Sequence, residues 1–375
     1  MQKKRTKTPQ TSRPGSDNKA PRSRFETSLK WVGSLTALLS LIFGLHQAIQ
    51  LVSEVRERQR LVAELYETGK LQQGAADYDG AWDSFDQALK TAESGGNLAK
   101  LTGQLDEATL QIREAQENLA MAWLENVHAS PGQTFSAVAD KLLPVLNRGV
   151  TSASGIRKAD LLAHVGWANF LRARDGHATL NPEQQYRQSL EIDSANPYAH
   201  VYWGYWKLWG RKELEDAKQH FSAALASGRV RDYVRDVQLA ALKNIGSEHE
   251  GEFLRVVHEL WKNHEKIDPM TRHDVDSIYY FACAGHYDND SFQNLLAAVP
   301  GAEQLAMFQS LFSDKDVDAL QHPGREACLA TLLEAAGQPE EALQIWMNLR
   351  SKFPPASGSN LGAGAAIKRL SPNRK

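Results

Sequence analysis

LYETGKLQQGAADYDGAWDSFDQALKTA, residues Leu65 to Ala92, decides the fold. Its apolar residues recur at three and four positions, the spacing of helices with one buried face. The side-chain sizes say how two such helices meet. Gly69, late in the first helix, lets the second pack against the first. Ala81 and Ala88, in the second, allow close approach. Phe85 between them fills the groove left between neighbouring hairpins.

The same sizes return along the chain. In SLEIDSANPYAHVYWGYWKLWGRKELEDAKQHFSAAL (Ser189 to Leu225), Gly204 takes the small position and Ala217, Phe221 and Ala224 follow, with one extra residue between Gly204 and Ala217. Gly166, Tyr186 and Ser189 fit more loosely, across a longer loop. GQPEEALQIWMNLRSKFP (Gly337 to Pro354) offers Ala342, Trp346 and Leu349. This arrangement resembles the tetratricopeptide repeat, in which a small residue late in one helix is followed by Ala, a bulky residue and Ala in the next. The resemblance implies an all-α, TPR-like helical-hairpin solenoid whose first helices line a concave face that holds a protein or peptide. Residues 96–148 and 230–300 are helical in pattern but follow the repeat poorly. Short breakers such as Asn196-Pro197, Asp268-Pro269 and Pro323-Gly324 separate helices of ordinary length.

Upstream, WVGSLTALLSLIFGLHQAIQLV (Trp31 to Val52) carries no charge. At ~1.5 Å per residue it reaches roughly 31 Å from Val32 to Val52, a bilayer core. Lys30 and Trp31 stand where interfacial anchors belong, and Glu54, Arg56, Glu57, Arg58 and Arg60 end the apolar run. His46, Gln47 and Gln50 fall on one helix face, which suits contact between membrane helices and leaves a homo-oligomer open. The sequence therefore divides into a disordered basic tail (1–29), a transmembrane helix (30–53), a repeat body (54–354) and a flexible basic C-terminal tail (355–375).

Charge follows this division. Met1 to Lys30 holds nine basic and two acidic residues, and the last eight residues hold four basic ones. The remainder is acidic, with 30 basic against 43 acidic residues, so nucleic acid is not an expected partner. The basic tail is costly to translocate. It is expected in the cytoplasm, with the body beyond the membrane, most naturally a bacterial inner membrane with the body in the periplasm.

Motifs for chemistry are missing, so neither catalytic residues nor a cofactor are assigned. His258 and His264 are six apart, not the four that puts two ligands on one helix face. The acidic residues around His273 and His286 suit helix starts better than a calcium loop, and no metal is expected. Gly69-Lys70 precedes Leu71 and is no phosphate loop. Cys283 and Cys328 form neither a disulfide framework nor a metal set, and their pairing stays open.

The candidate partner surface is aromatic: Trp167 and Phe170 from one first helix, and Tyr198, Val201, Tyr205, Leu208 and Trp209 from the next. The function expected is a membrane-anchored interaction scaffold. Alternatives are an effector that oligomerises through its membrane segment, or a helical enzyme with an unrecognised site.

Overall fold

The computed structural model describes residues 24–94, 104–127, 134–176, 181–244, 249–284, 290–312, 323–353 and 362–371. Among them the protein is all-α, with sixteen helices and no strand. The chain forms two compact units, divided between Gln116 and Glu117.

The first unit is built on α1 (Arg24–Gly74), one helix of 51 residues. The apolar segment and the first hairpin helix both lie within it. They are continuous, because no Gly or Pro lies between Leu45 and Thr68 and the charged residues there are good helix formers. From Leu38 onward α1 is long and apolar enough to cross a membrane, and Leu41, Phe43, Leu45 and Ile49 stand more than half exposed. Of the expected disordered tail, 24–29 belong to this helix; 1–23 lie outside the described residues.

Beyond the apolar segment α1 pairs with α2 (Tyr78–Glu93). Asp77 caps α2 by accepting from Gly80 N at 3.1 Å. Ala81, Phe85 and Ala88 are fully buried, and a Cβ on Gly69 would lie 2.6 Å from the Phe85 ring. The helix α3 (Gln104–Glu125) carries the division between the units.

The second unit continues with α4 (Phe135–Ser152), α5 (Gly155–Arg174), α6 (Glu183–Ile192), α7 (Pro197–Arg211), α8 (Leu214–Ala226) and α9 (Arg231–Asn244). Here α5 packs on α4, α6 and α7, and α7 on α6, α8 and α9. Gly166 faces Tyr186 as Gly69 faces Phe85: an added Cβ would meet the ring at 2.5 Å. Gly204 faces Phe221 at 2.8 Å. Tyr186, Ser189, Ala217, Phe221 and Ala224 are buried, and Ser189 donates to the Ala159 carbonyl at 2.7 Å. The extra residue after Gly204 is absorbed at the turn. There α7 runs on to Arg211, and Lys212 adopts a left-handed φ of 55° before α8 starts. In both hairpins the first Ala is the fourth residue of its helix, Ala81 in α2 and Ala217 in α8.

Further on come α10 (Glu250–Lys262), α11 (Pro269–Ala284), α12 (Asp290–Ala298), α13 (Gly301–Leu311), α14 (Pro323–Ala335), α15 (Pro339–Lys352) and α16 (Ala363–Leu370). Ala342, Trp346 and Leu349 are buried where α15 meets α14, and Trp346 Nε1 donates to Glu334 at 2.8 Å. The segment expected to be a loose tail contains α16. Its small residues Ala363 and Ala366 are what fit against α15, and Arg369 grips Glu334 at 2.8 Å. Residues 354–361 and 372–375 lie outside the described residues.

Candidate functional site

The aromatic residues singled out in the sequence do come together, between α5, α7 and α9, but most of them form a core. Trp167, Phe170, Val201, Tyr205 and Leu208 are each at most 5% exposed. The open groove expected of these five is therefore corrected. Assigning a residue to the inward face of a first helix does not say how closely the next first helix approaches. Here the approach is close enough to seal the space with rings. Trp167 stacks on Tyr202 at 4.6 Å and on Phe170 at 5.0 Å, and meets the edge of Tyr205 at 5.2 Å. Its indole N–H donates to the Leu124 carbonyl at 3.3 Å. That bond serves one of the last carbonyls of α3, which have no partner within their own helix.

Toward the start of α7 the stack gives way to a polar network that sequence reasoning did not find. His164 is fully buried; its Nδ1–H donates to the Asp160 carbonyl at 2.7 Å. Its Nε2 lies 3.1 Å from Glu125 Oε1 and 3.2 Å from the Tyr202 hydroxyl. The Tyr202 and Tyr233 hydroxyls are 2.8 Å apart. Burial above all pushes both phenols well above the usual tyrosine range. Tyr198 is raised too, by burial and then by Glu125. These hydroxyls stay protonated and serve as hydrogen-bonding groups.

Beside this network Arg229, from the turn before α9, holds the Asp160 carboxylate with bonds of 2.8 and 3.0 Å and reaches Asp193 at 3.1 Å. Asn196 donates to Asp160 at 2.6 Å and caps α7 by accepting from Ala199 N at 2.9 Å. One carboxylate thereby ties α5, the start of α7 and the approach to α9 together. The only sequence signal for all this was a His and an Asp four apart on an otherwise apolar face.

What remains accessible is the far end of the same strip. Trp209 is 41% exposed there. The Arg174 guanidinium sits 5.3 Å from the Trp209 ring and 4.1 Å from Phe135. An exposed indole beside a guanidinium held by two rings presents a flat apolar contact and a fixed positive charge, from two residue types enriched among the energetically dominant residues of protein interfaces.

Concavities also lie elsewhere. One of about 420 Å³ is lined by Asp232, Asp236, Arg235 and Asp268. Burial, then Asp268 and Asp232, raise the Asp236 carboxyl. Asp268 is already committed to capping α11, accepting from Met270 N at 2.8 Å and Thr271 N at 3.0 Å. In the first unit a groove of about 350 Å³ runs between Val62, Tyr66, Ala108 and Ile112. Among the described residues no three His, Cys, Asp or Glu side chains cluster as metal ligands. Asp274 pairs with Lys243 at 3.0 Å and Asp276 with Arg325 at 2.8 Å. His286 and Asp288 lie outside the described residues. Compared with protein-family models, curated sequences and solved structures, the chain matches none.

Proposed function

We propose that the protein is a single-pass membrane anchor carrying a TPR-like helical body that binds a partner protein. The observation that carries this reading is a packing device used three times. A glycine of one helix receives an aromatic ring of another at Gly69–Phe85, Gly166–Tyr186 and Gly204–Phe221. Repetition of one hairpin geometry is how repeat proteins extend a core while exposing a long recognition surface. The first of these hairpins grows out of the helix that bears the apolar segment. Gly69 follows Val52 by seventeen residues, roughly 25 Å along a continuous helix, so the first hairpin stands at a fixed height above the bilayer. In this reading the basic tail stays in the cytoplasm of a bacterial cell and the body faces the periplasm.

The partner sits on the Trp209–Arg174 surface. Losing an interface anchor of this type costs about 2 kcal/mol or more, roughly thirtyfold in affinity. Trp209→Ala and Arg174→Ala, each tested as full-length protein in detergent-extracted membranes, should therefore lose most captured partner. The far-ultraviolet circular dichroism should stay unchanged, because Trp209 and Arg174 lie at the solvent-facing edge of the core. Undiminished capture by both variants would place the interface elsewhere.

A further inference from the structure

The chain contains two cysteines, and the fold brings them together. Cys283 lies in the last turn of α11 and Cys328 in the first half of α14, two helices that pack on each other. Each is 2% exposed. The Cys328 thiol donates to the Tyr279 carbonyl at 3.1 Å. Tyr279 precedes Cys283 by four residues on α11, so Cys328 Sγ rests against the turn that carries Cys283. Both thiols are thus buried within about one helical turn of each other.

We propose that Cys283 and Cys328 form an intramolecular disulfide that ties α11 to α14 when the protein folds in the presence of a disulfide oxidant. The oxidant is a small or protein disulfide, R–S–S–R. One cysteine thiolate attacks it, forming a mixed disulfide and releasing one RS⁻. The second cysteine thiolate attacks the protein sulfur of the mixed disulfide, forming the Cys283–Cys328 bond and releasing the second RS⁻. Two protein thiols are oxidised, one external disulfide is reduced to two thiols, and the two cysteine protons end on the released thiolates.

The cross-link encloses α12 and α13 and restricts the unfolded chain, so it stabilises this end of the second unit. Burial pushes the Cys328 thiol well above its usual range, and attack requires the thiolate. Exchange is accordingly slow in the folded protein and fast while α11 and α14 are still separating or docking. Such a bond persists outside a reducing cytosol. The inference itself depends neither on the proposed compartment nor on the proposed partner.

The test uses the purified full-length protein in detergent. It is unfolded, refolded in a buffer of oxidised and reduced glutathione, then denatured and treated with iodoacetamide. Mass spectrometry should find neither cysteine alkylated, a loss of two hydrogens, and one cross-linked peptide pair containing Cys283 and Cys328. The oxidised protein should melt above its reduced form, and the oxidant should not raise the melting temperature of Cys283→Ser or Cys328→Ser. Recovery of both cysteines as alkylated residues, as separate glutathione adducts, or as cross-links between molecules would overturn the proposal. The wild-type comparison stands even if a serine variant folds poorly.

Discussion

Gly166→Val is expected to destabilise the α5/α6 hairpin by about 3 kcal/mol. Overpacking of a well-filled core typically costs about 1–3 kcal/mol, and this site lies at the upper end of that range for a geometric reason. Even a Cβ here would lie 2.5 Å from Tyr186 Cε1 and 2.8 Å from Cδ1, with Gln185 Cβ at 3.2 Å. Tyr186 is fully buried, so its ring cannot swing aside into solvent. Valine adds two γ-methyls to that clash and is stiff at χ1 in a helix. Intrinsic propensity acts the other way, since glycine inside a helix is worse than alanine by about 1 kcal/mol. The sign of the effect therefore separates packing from propensity. Gly364→Ala, at a position where an added Cβ meets nothing within 4 Å, should be neutral or stabilising. Tyr186→Leu should relieve part of the Gly166→Val defect in the double variant, which is the signature of direct contact. Denaturant unfolding followed by circular dichroism measures all three. A Gly166→Val protein as stable as wild type would refute the hairpin packing.

Trp167→Ala is expected to cost about 3–5 kcal/mol, the range for deleting a large aromatic from a core. The indole is held face-on by Tyr202 and Phe170 and edge-on by Tyr205, so no neighbour can close the cavity without losing its own contacts. The change also removes the donor to the Leu124 carbonyl and leaves that buried group without the indole, a further loss. Set against a typical total stability of about 5–15 kcal/mol, this lowers the melting temperature by roughly 10 °C for a unit of this size. Amide exchange should accelerate first in α5 and α7. Trp167→Phe should keep much of the stacking and lose the N–H bond, and so fall between wild type and alanine. A change of less than about 1 kcal/mol for Trp167→Ala would mean that this strip is not a core.

The hairpins were legible because their signal is local and steric. Gly69 and Phe85, or Gly204 and Phe221, lie within one pair of helices, and a missing side chain opposite a ring is what close helix contact requires. The partner surface was legible only in composition. Which of Trp167, Tyr205 and Trp209 faces water depends on how near α5 and α7 approach each other, and no pattern within one helix states that distance. Trp209 stays open because it lies near the C-terminal end of α7, where the stack runs out. The polar network was missed because Glu125, His164, Tyr202 and Tyr233 come from four helices. The boundary after Val52 is one of composition and does not end the helix. Composition changes abruptly from apolar to charged there, whereas helix formation responds to propensity and breakers, and neither changes. In α16, a Gly- and Ala-rich stretch that reads as loose is the shape that fits beside α15. Nothing local in the sequence hinted that Cys283 and Cys328, 45 positions apart, lie on helices that pack together.

The central claim is that α1 holds a repeat body at a membrane, on its far side. It is tested most directly by fusing a compartment-sensitive reporter after Lys375 and washing the isolated membranes with alkali. The account predicts that the fusion stays in the membrane pellet and that the reporter signals a non-cytoplasmic location. A fusion released by the wash would contradict the anchor, and a membrane-bound fusion with a cytoplasmic signal would contradict the orientation.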